Sequence, residues 1–192
     1  MHPLSFQKTK IDGLTCIQPF LSADSRGYLL KSFEKRSFAQ HGINIQPYEE
    51  LTSCSSKGTL RGLHFQRNFS QDKIIRVFSG RFFDVAVDLR KDSLTFGQWE
   101  SFELSAENHC MLYIPKGFAH GFLALEDNSV LNYLCGDRYD AESEDGILWS
   151  DPELSIPWPL EQVENIIISP RDEGFQTMAQ FKQTYGAISV EG

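Results

Sequence analysis

The chain has few cysteines, no long apolar run, little that reads as helix and a deficit of positive charge. Its four cysteines, Cys16, Cys54, Cys110 and Cys135, are scattered through 192 residues with no Cys-x-x-Cys pair. They read as reduced thiols in a cytoplasmic protein rather than as structural bridges. The apolar stretches are far shorter than a bilayer span, so no membrane segment is expected. Residues 1–8 lack a basic region followed by an apolar run, so no signal peptide is expected either. Lys and Arg number 18 against 26 Asp and Glu, a net charge of −8, which argues against nucleic acid as a partner. An anionic small ligand is not excluded, because it responds to local charge. With 41% hydrophobic and 23% charged residues, 1–192 reads as one globular domain with an ample core.

What is present is a series of short strands. Lys73–Phe78 and Arg81–Leu89 flank Ser79-Gly80, a hairpin signal. Along the second run Phe83, Val85, Val87 and Leu89 take one face, and Asp84, Ala86 and Asp88 the other. Trp99–Leu104 with Cys110–Ile114, and Gly121–Leu125 with Val130–Leu134, read as two further strand pairs. Regular short strands of this kind predict an all-β sandwich or barrel. Helix is expected only at residues 36–41 and 175–185, where Phe175, Met178, Phe181 and Tyr185 fall near helical spacing and form a packing stripe. Residues 188–192 are expected to fray.

Chemistry concentrates in Arg61-Gly62-Leu63-His64-Phe65-Gln66. Leu63 and Phe65 share one strand face, which turns His64 to the other with Gly62 and Gln66. Arg61 would face away from His64 unless the backbone bends at Gly62. Histidine titrates near neutrality and so suits proton transfer, although a lone strand histidine also serves simply to satisfy a carbonyl. Gly117-Phe118-Ala119-His120-Gly121-Phe122 repeats the theme, with glycines that permit close approach. A histidine-based metal site needs companions at short spacing that His64, His120, His2, His41 and His109 lack, so no metal is expected. Arg61 and Lys73 flank His64 and suit a phosphate or diphosphate. A phenol such as Tyr133 or Tyr139 would donate a proton if it faced a basic centre, and Asp172 would orient an imidazole.

Longer motifs follow one another in order: Asp24-Ser25-Arg26-Gly27, Gly58-Thr59-Leu60-Arg61-Gly62-Leu63-His64-Phe65-Gln66, Asp84-Val85-Ala86-Val87-Asp88-Leu89-Arg90, Ile114-Pro115-Lys116-Gly117-Phe118-Ala119-His120-Gly121-Phe122 and Gly146-Ile147-Leu148-Trp149. From about residue 5 to 180 the chain resembles the dTDP-4-dehydrorhamnose 3,5-epimerase family. The resemblance implies a cupin-type double-stranded β-helix with a few short helices, one near the C-terminus. It implies a homodimer that exchanges strands. It also implies epimerisation of a nucleotide-diphospho-sugar, a 4-keto-6-deoxyhexose, at C5 and/or C3 without metal or organic cofactor. Position by position it implies His64 as base, Asp172 as its orienting carboxylate, Tyr133 as acid and Lys73 as the partner of the enolate oxygen. It implies substrate contacts for Arg26, Lys31, Glu49, Leu51, Arg61, His120, Tyr139, Glu144 and Arg171.

The chain departs from the family pattern at three places. Lys31 replaces a glutamate, Glu49-Glu50-Leu51 replaces Gln-x-Asn, and Leu134 replaces the lysine after the acid tyrosine. Thymine presents an N3–H donor where cytosine presents an acceptor, so Lys31 in place of an acceptor is the change expected for cytosine. The carrier is therefore expected to be dTDP, with CDP as rival. An epimerase of a single carbon and a cupin that binds sugar without turning it over are the other readings.

Overall fold

The computed structural model describes residues 3–190. In chain order the elements are β1 (Ser5–Lys8), β2 (Thr15–Gln18), β3 (Phe20–Asp24), β4 (Gly27–Lys31), α1 (Lys35–Gln40), β5 (Glu49–Ser55), β6 (Leu60–Gln66) and β7 (Lys73–Ser79). There follow β8 (Arg81–Asp88), β9 (Trp99–Ser105), β10 (Met111–Ile114), β11 (Phe118–Ala124), β12 (Ser129–Cys135), β13 (Glu144–Gly146), α2 (Pro170–Glu173) and α3 (Met178–Thr184). Two antiparallel sheets face each other, one ordered β1-β2-β10-β7-β12-β5 and the other β13-β6-β11-β8-β9. This is the expected all-β double-stranded β-helix. A separate two-stranded sheet, β3–β4, stands apart from both.

The strands were legible, but their pairing was not. β7 and β8 form no hairpin about Ser79-Gly80; they lie in different sheets. The same holds for β9 with β10 and for β11 with β12. A turn signal establishes that the chain reverses. It does not establish whether the next strand bonds alongside or crosses the core. At Gly80 the corner is tight: φ is +70° and an added Cβ would stand 2.1 Å from Ser129 Oγ. β8 is buried on both faces and alternates between two clusters. Phe82 and Ala86 turn inward to meet Ile75, Leu112, Leu131 and Phe122, whereas Val85 and Val87 turn outward. Phe82 and Phe122 meet edge to face at 5.0 Å. Each fully buried ring of this kind contributes roughly 1.5–3 kcal/mol.

The outward face of the five-stranded sheet is covered by the C-terminal segment through Trp158, Met178 and Phe181. Helix α3 starts later than the apolar stripe suggests, because Thr177 caps it with Gln180 in a reciprocal box. Phe175 therefore lies outside the helix. The expected fraying also fails at Ile188, which is buried and donates its N–H to Leu89 O at 2.7 Å. Residues 191–192, the rest of that expectation, and His2 lie outside the described residues.

Candidate active site

The two sheets part at one end to leave a cavity of about 640 Å³. That volume suits a small organic ligand. Arg61, His64 and His120 line it from the five-stranded sheet, and Glu49, Leu51, Lys73 and Tyr133 from the six-stranded one. Arg61 and His64 share the cavity despite their odd spacing. Gly62 has φ +118° and the β6–β11 register shifts between His120 and Phe122, so the alternation is broken between them. Gly62 must be glycine, since a Cβ there would meet Gly121 Cα at 2.5 Å and His120 O at 2.8 Å.

His64 stands directly opposite His120 in the β6–β11 register. Its Nε2 is 3.0 Å from Asp172 Oδ2, which also accepts the Gly62 N–H at 2.9 Å. An Nε2–H donated to Asp172 leaves Nδ1 as the basic nitrogen. Asp172 is presented by α2, whose start is built by Ser169 as N-cap and Pro170 in the first turn. The Ser169 hydroxyl donates to Asp172 Oδ1 at 2.9 Å. Burial alone would raise the Asp172 carboxyl, but the hydrogen bonds from His64, Gly62 and Ser169 hold it well below the usual carboxylate range.

A second dyad sits behind the first. His120 Nε2 lies 2.9 Å from Asp84 Oδ2, with Asp84 fully buried and its Oδ1 unpartnered among the described residues. Asp84 was missed as a site residue, although an acid flanked by apolar residues in a strand demands a partner once buried. Phe175 was missed too, having been assigned to helix packing. Its ring meets that of His64 edge-on at 5.4 Å, and Gly146 leaves room for it.

Across the cavity, burial pushes the Tyr133 phenol well above its ordinary value, so it keeps its proton at neutral pH. Its ring centroid is 6.0 Å from that of His120. Burial pushes the Lys73 ammonium below its ordinary range, outweighing the attraction of Glu144, Glu49 and Asp84. An arriving negative charge would therefore favour the protonated form of Lys73. At the rim Glu144 Oε2 accepts from Tyr139 at 2.8 Å and from Arg171 Nη1 at 2.6 Å. Arg171 Nη2 comes within 3.2 Å of His64 Nε2. Glu49 accepts from Gln71 at 2.7 Å.

Of the residues singled out in the sequence, Arg26 and Lys31 are not brought to this cavity. Arg26 is exposed on the β3–β4 hairpin and paired with its neighbour Asp24 at 2.6 Å. Lys31 ends β4, exposed, with Nζ 5.8 Å from the Phe20 ring centroid.

The family model of dTDP-4-dehydrorhamnose 3,5-epimerase matches residues 8–180. The chain belongs to this family. The Methanothermobacter thermautotrophicus dTDP-4-dehydrorhamnose 3,5-epimerase is 44% identical over 180 residues, 94% of this chain and 97% of that protein. A dTDP-6-deoxy-D-glucose-3,5-epimerase from Legionella pneumophila, solved in complex with dTDP-4-keto-L-rhamnose, superposes with a TM-score of 0.92. It is 38% identical and the match covers 99% of this chain and 100% of that one. A 4-keto-6-deoxy sugar epimerase from the novobiocin cluster of Streptomyces spheroides also gives 0.92, at 32% identity over 98% and 94% of the two chains. The family is one of isomerases, and its members act on 4-keto-6-deoxy sugars by these names.

Proposed function

We propose that this chain epimerises a dTDP-linked 4-keto-6-deoxyhexose at C5, or at C3 and C5, in deoxysugar biosynthesis. One observation carries the reading: His64 and Tyr133 line one cavity from opposite sheets. A sugar ring lying between them offers one face to a base and the other to an acid.

The C4 ketone acidifies the protons on C3 and C5. His64, with Nε2–H given to Asp172, takes one of them. Charge develops on the C4 oxygen, where the desolvated Lys73 ammonium stabilises it, an effect worth several kcal/mol in a dry site. Tyr133 returns a proton on the opposite face, inverting the carbon. The carbonyl is the electron sink, so the residues require no organic cofactor. Arg61 and Arg171 suit the diphosphate, and the Asp84–His120 pair fixes the cavity wall.

Arg26 and Lys31 enter this reading through a second copy of the chain. The β3–β4 hairpin stands outside both sheets with Tyr28 and Leu29 exposed, as suits an arm that reaches a partner in a homodimer. Four free thiols fit a cytoplasmic setting. Lys31 favours CDP as the alternative carrier, because donor and acceptor are exchanged there relative to the family pattern.

The test is solvent deuterium incorporation into dTDP- and CDP-linked 4-keto-6-deoxyglucose, read by NMR. Label at C5, or at C3 and C5, supports the epimerase. Label in neither sugar supports the non-catalytic binder instead.

A further inference from the structure

Two thiols take no part in the chemistry proposed above. Cys16 lies on β2 and Cys110 immediately precedes β10. These strands are antiparallel, with Ile17 opposite Met111 and Cys16 opposite Leu112. Cys16 and Cys110 are therefore diagonal neighbours across the ladder. Their Sγ atoms are 2.7 Å apart. That is well inside the van der Waals contact of two sulfurs and above the ~2.05 Å of a disulfide bond. All four cysteines are free. Cys54 is exposed and Cys135 is buried, its thiol pushed up to about 11, and neither touches another cysteine sulfur among the described residues.

We propose that Cys16 and Cys110 form a redox-active dithiol, which a small-molecule disulfide of the glutathione type converts into a cross-link between β2 and β10. Cys16 is half-buried and Cys110 buried, so Cys16 is the thiol an outside reagent reaches. The hydrogen bond the two thiols share also holds the Cys16 thiol below its ordinary value while raising that of Cys110. The Cys16 thiolate attacks one sulfur of the reagent, forming a mixed disulfide and expelling one thiolate, which takes up the Cys16 proton. Cys110 loses its proton to water and attacks Cys16 Sγ. The mixed disulfide breaks, the Cys16–Cys110 bond forms and the second thiol leaves. The protein gives up two electrons and two protons, and the reagent is reduced to two thiols.

The position gives the bond a consequence. β1 and β2 form one edge of the six-stranded sheet, and among the described residues the β2–β10 ladder, three register pairs long, is what joins that edge to the rest of the sheet. A cross-link there fastens the shortest ladder of the sheet. It also closes a long loop of chain, the case in which constraint of the unfolded state is greatest.

The experiment equilibrates the full chain with oxidised glutathione, maps its peptides without reduction and measures Tm. A linked peptide pair containing Cys16 and Cys110, lighter by two hydrogens, is expected with a rise in Tm of several degrees. Dithiothreitol reverses both, and Cys16→Ser shows neither the link nor the rise. Free Cys16 and Cys110, or a mixed disulfide confined to Cys54, overturns the proposal. A link that leaves Tm unchanged or lower overturns its role as a staple.

Discussion

His64 and His120 face each other directly across the β6–β11 ladder, and each presents its Nε2 to a buried carboxylate, Asp172 at 3.0 Å and Asp84 at 2.9 Å. The two imidazoles differ in exposure, 24% for His64 and 6% for His120. Both line the cavity, His64 open to it and His120 nearly buried in its wall.

Tyr133→Phe should separate exchange from inversion. With His64 intact, the proton still leaves and returns on the same face, so deuterium enters the sugar of the substrate. Epimerised product should fall by about 10²–10⁴-fold. NMR of the recovered sugar distinguishes the two; loss of exchange and inversion together would remove Tyr133 from the acid role.

Lys73→Met should lower turnover by roughly 10²–10³-fold, as for loss of one group stabilising an oxyanion. It should also raise Tm, because it removes an amine whose charging burial penalises. The pH dependence carries a sign. Lys73 has a depressed folded pKa, so between that value and about 10.4 the unfolded chain binds more protons. Wild-type stability should therefore gain from this group as pH rises through that window. Denaturant unfolding of wild type and Lys73→Met across alkaline pH measures the difference.

Asp172→Asn should cut exchange by about 10²–10⁴-fold through loss of the His64 tautomer and orientation. Its folded pKa is depressed, so the stability it contributes is present above the unfolded value of about 3.9 and is lost as pH falls towards the folded one. Acid unfolding of the variant should lack that component. Equal acid profiles would contradict the hydrogen-bond account of Asp172.

Gly62→Ala tests the bend that brings Arg61 and His64 together. The new Cβ would stand 2.5 Å from Gly121 Cα, and the φ of +118° is strained for alanine. A loss of at least about 2 kcal/mol is expected, with a fall in turnover beyond what the fraction unfolded explains. Denaturant midpoints and initial rates report the two separately.

Much of this was legible because the chemistry is concentrated in strand segments with clear alternation. The runs that became β7, β8, β11 and β12 were visible, and so was the face that carries His64. Their pairing was not, because Ser79-Gly80 signals a reversal whether the next strand lies beside or across the core. Asp84 was read only as the polar side of a strand, since its partner His120 lies on β11, far along the chain. Helix α2 escaped because four residues give no period. Phe175 escaped because it fits a helical spacing that the Thr177 cap cuts short. Arg26 and Lys31 stand away from the cavity of their own chain, a relation that one sequence does not encode.

The most direct test of the account is deuterium exchange by His64→Ala. The variant should keep the wild-type circular dichroism and nucleotide affinity and place no label at C3 or C5 of a dTDP-linked 4-keto-6-deoxyglucose. Label entering at the wild-type rate would contradict the assignment of His64 as the base.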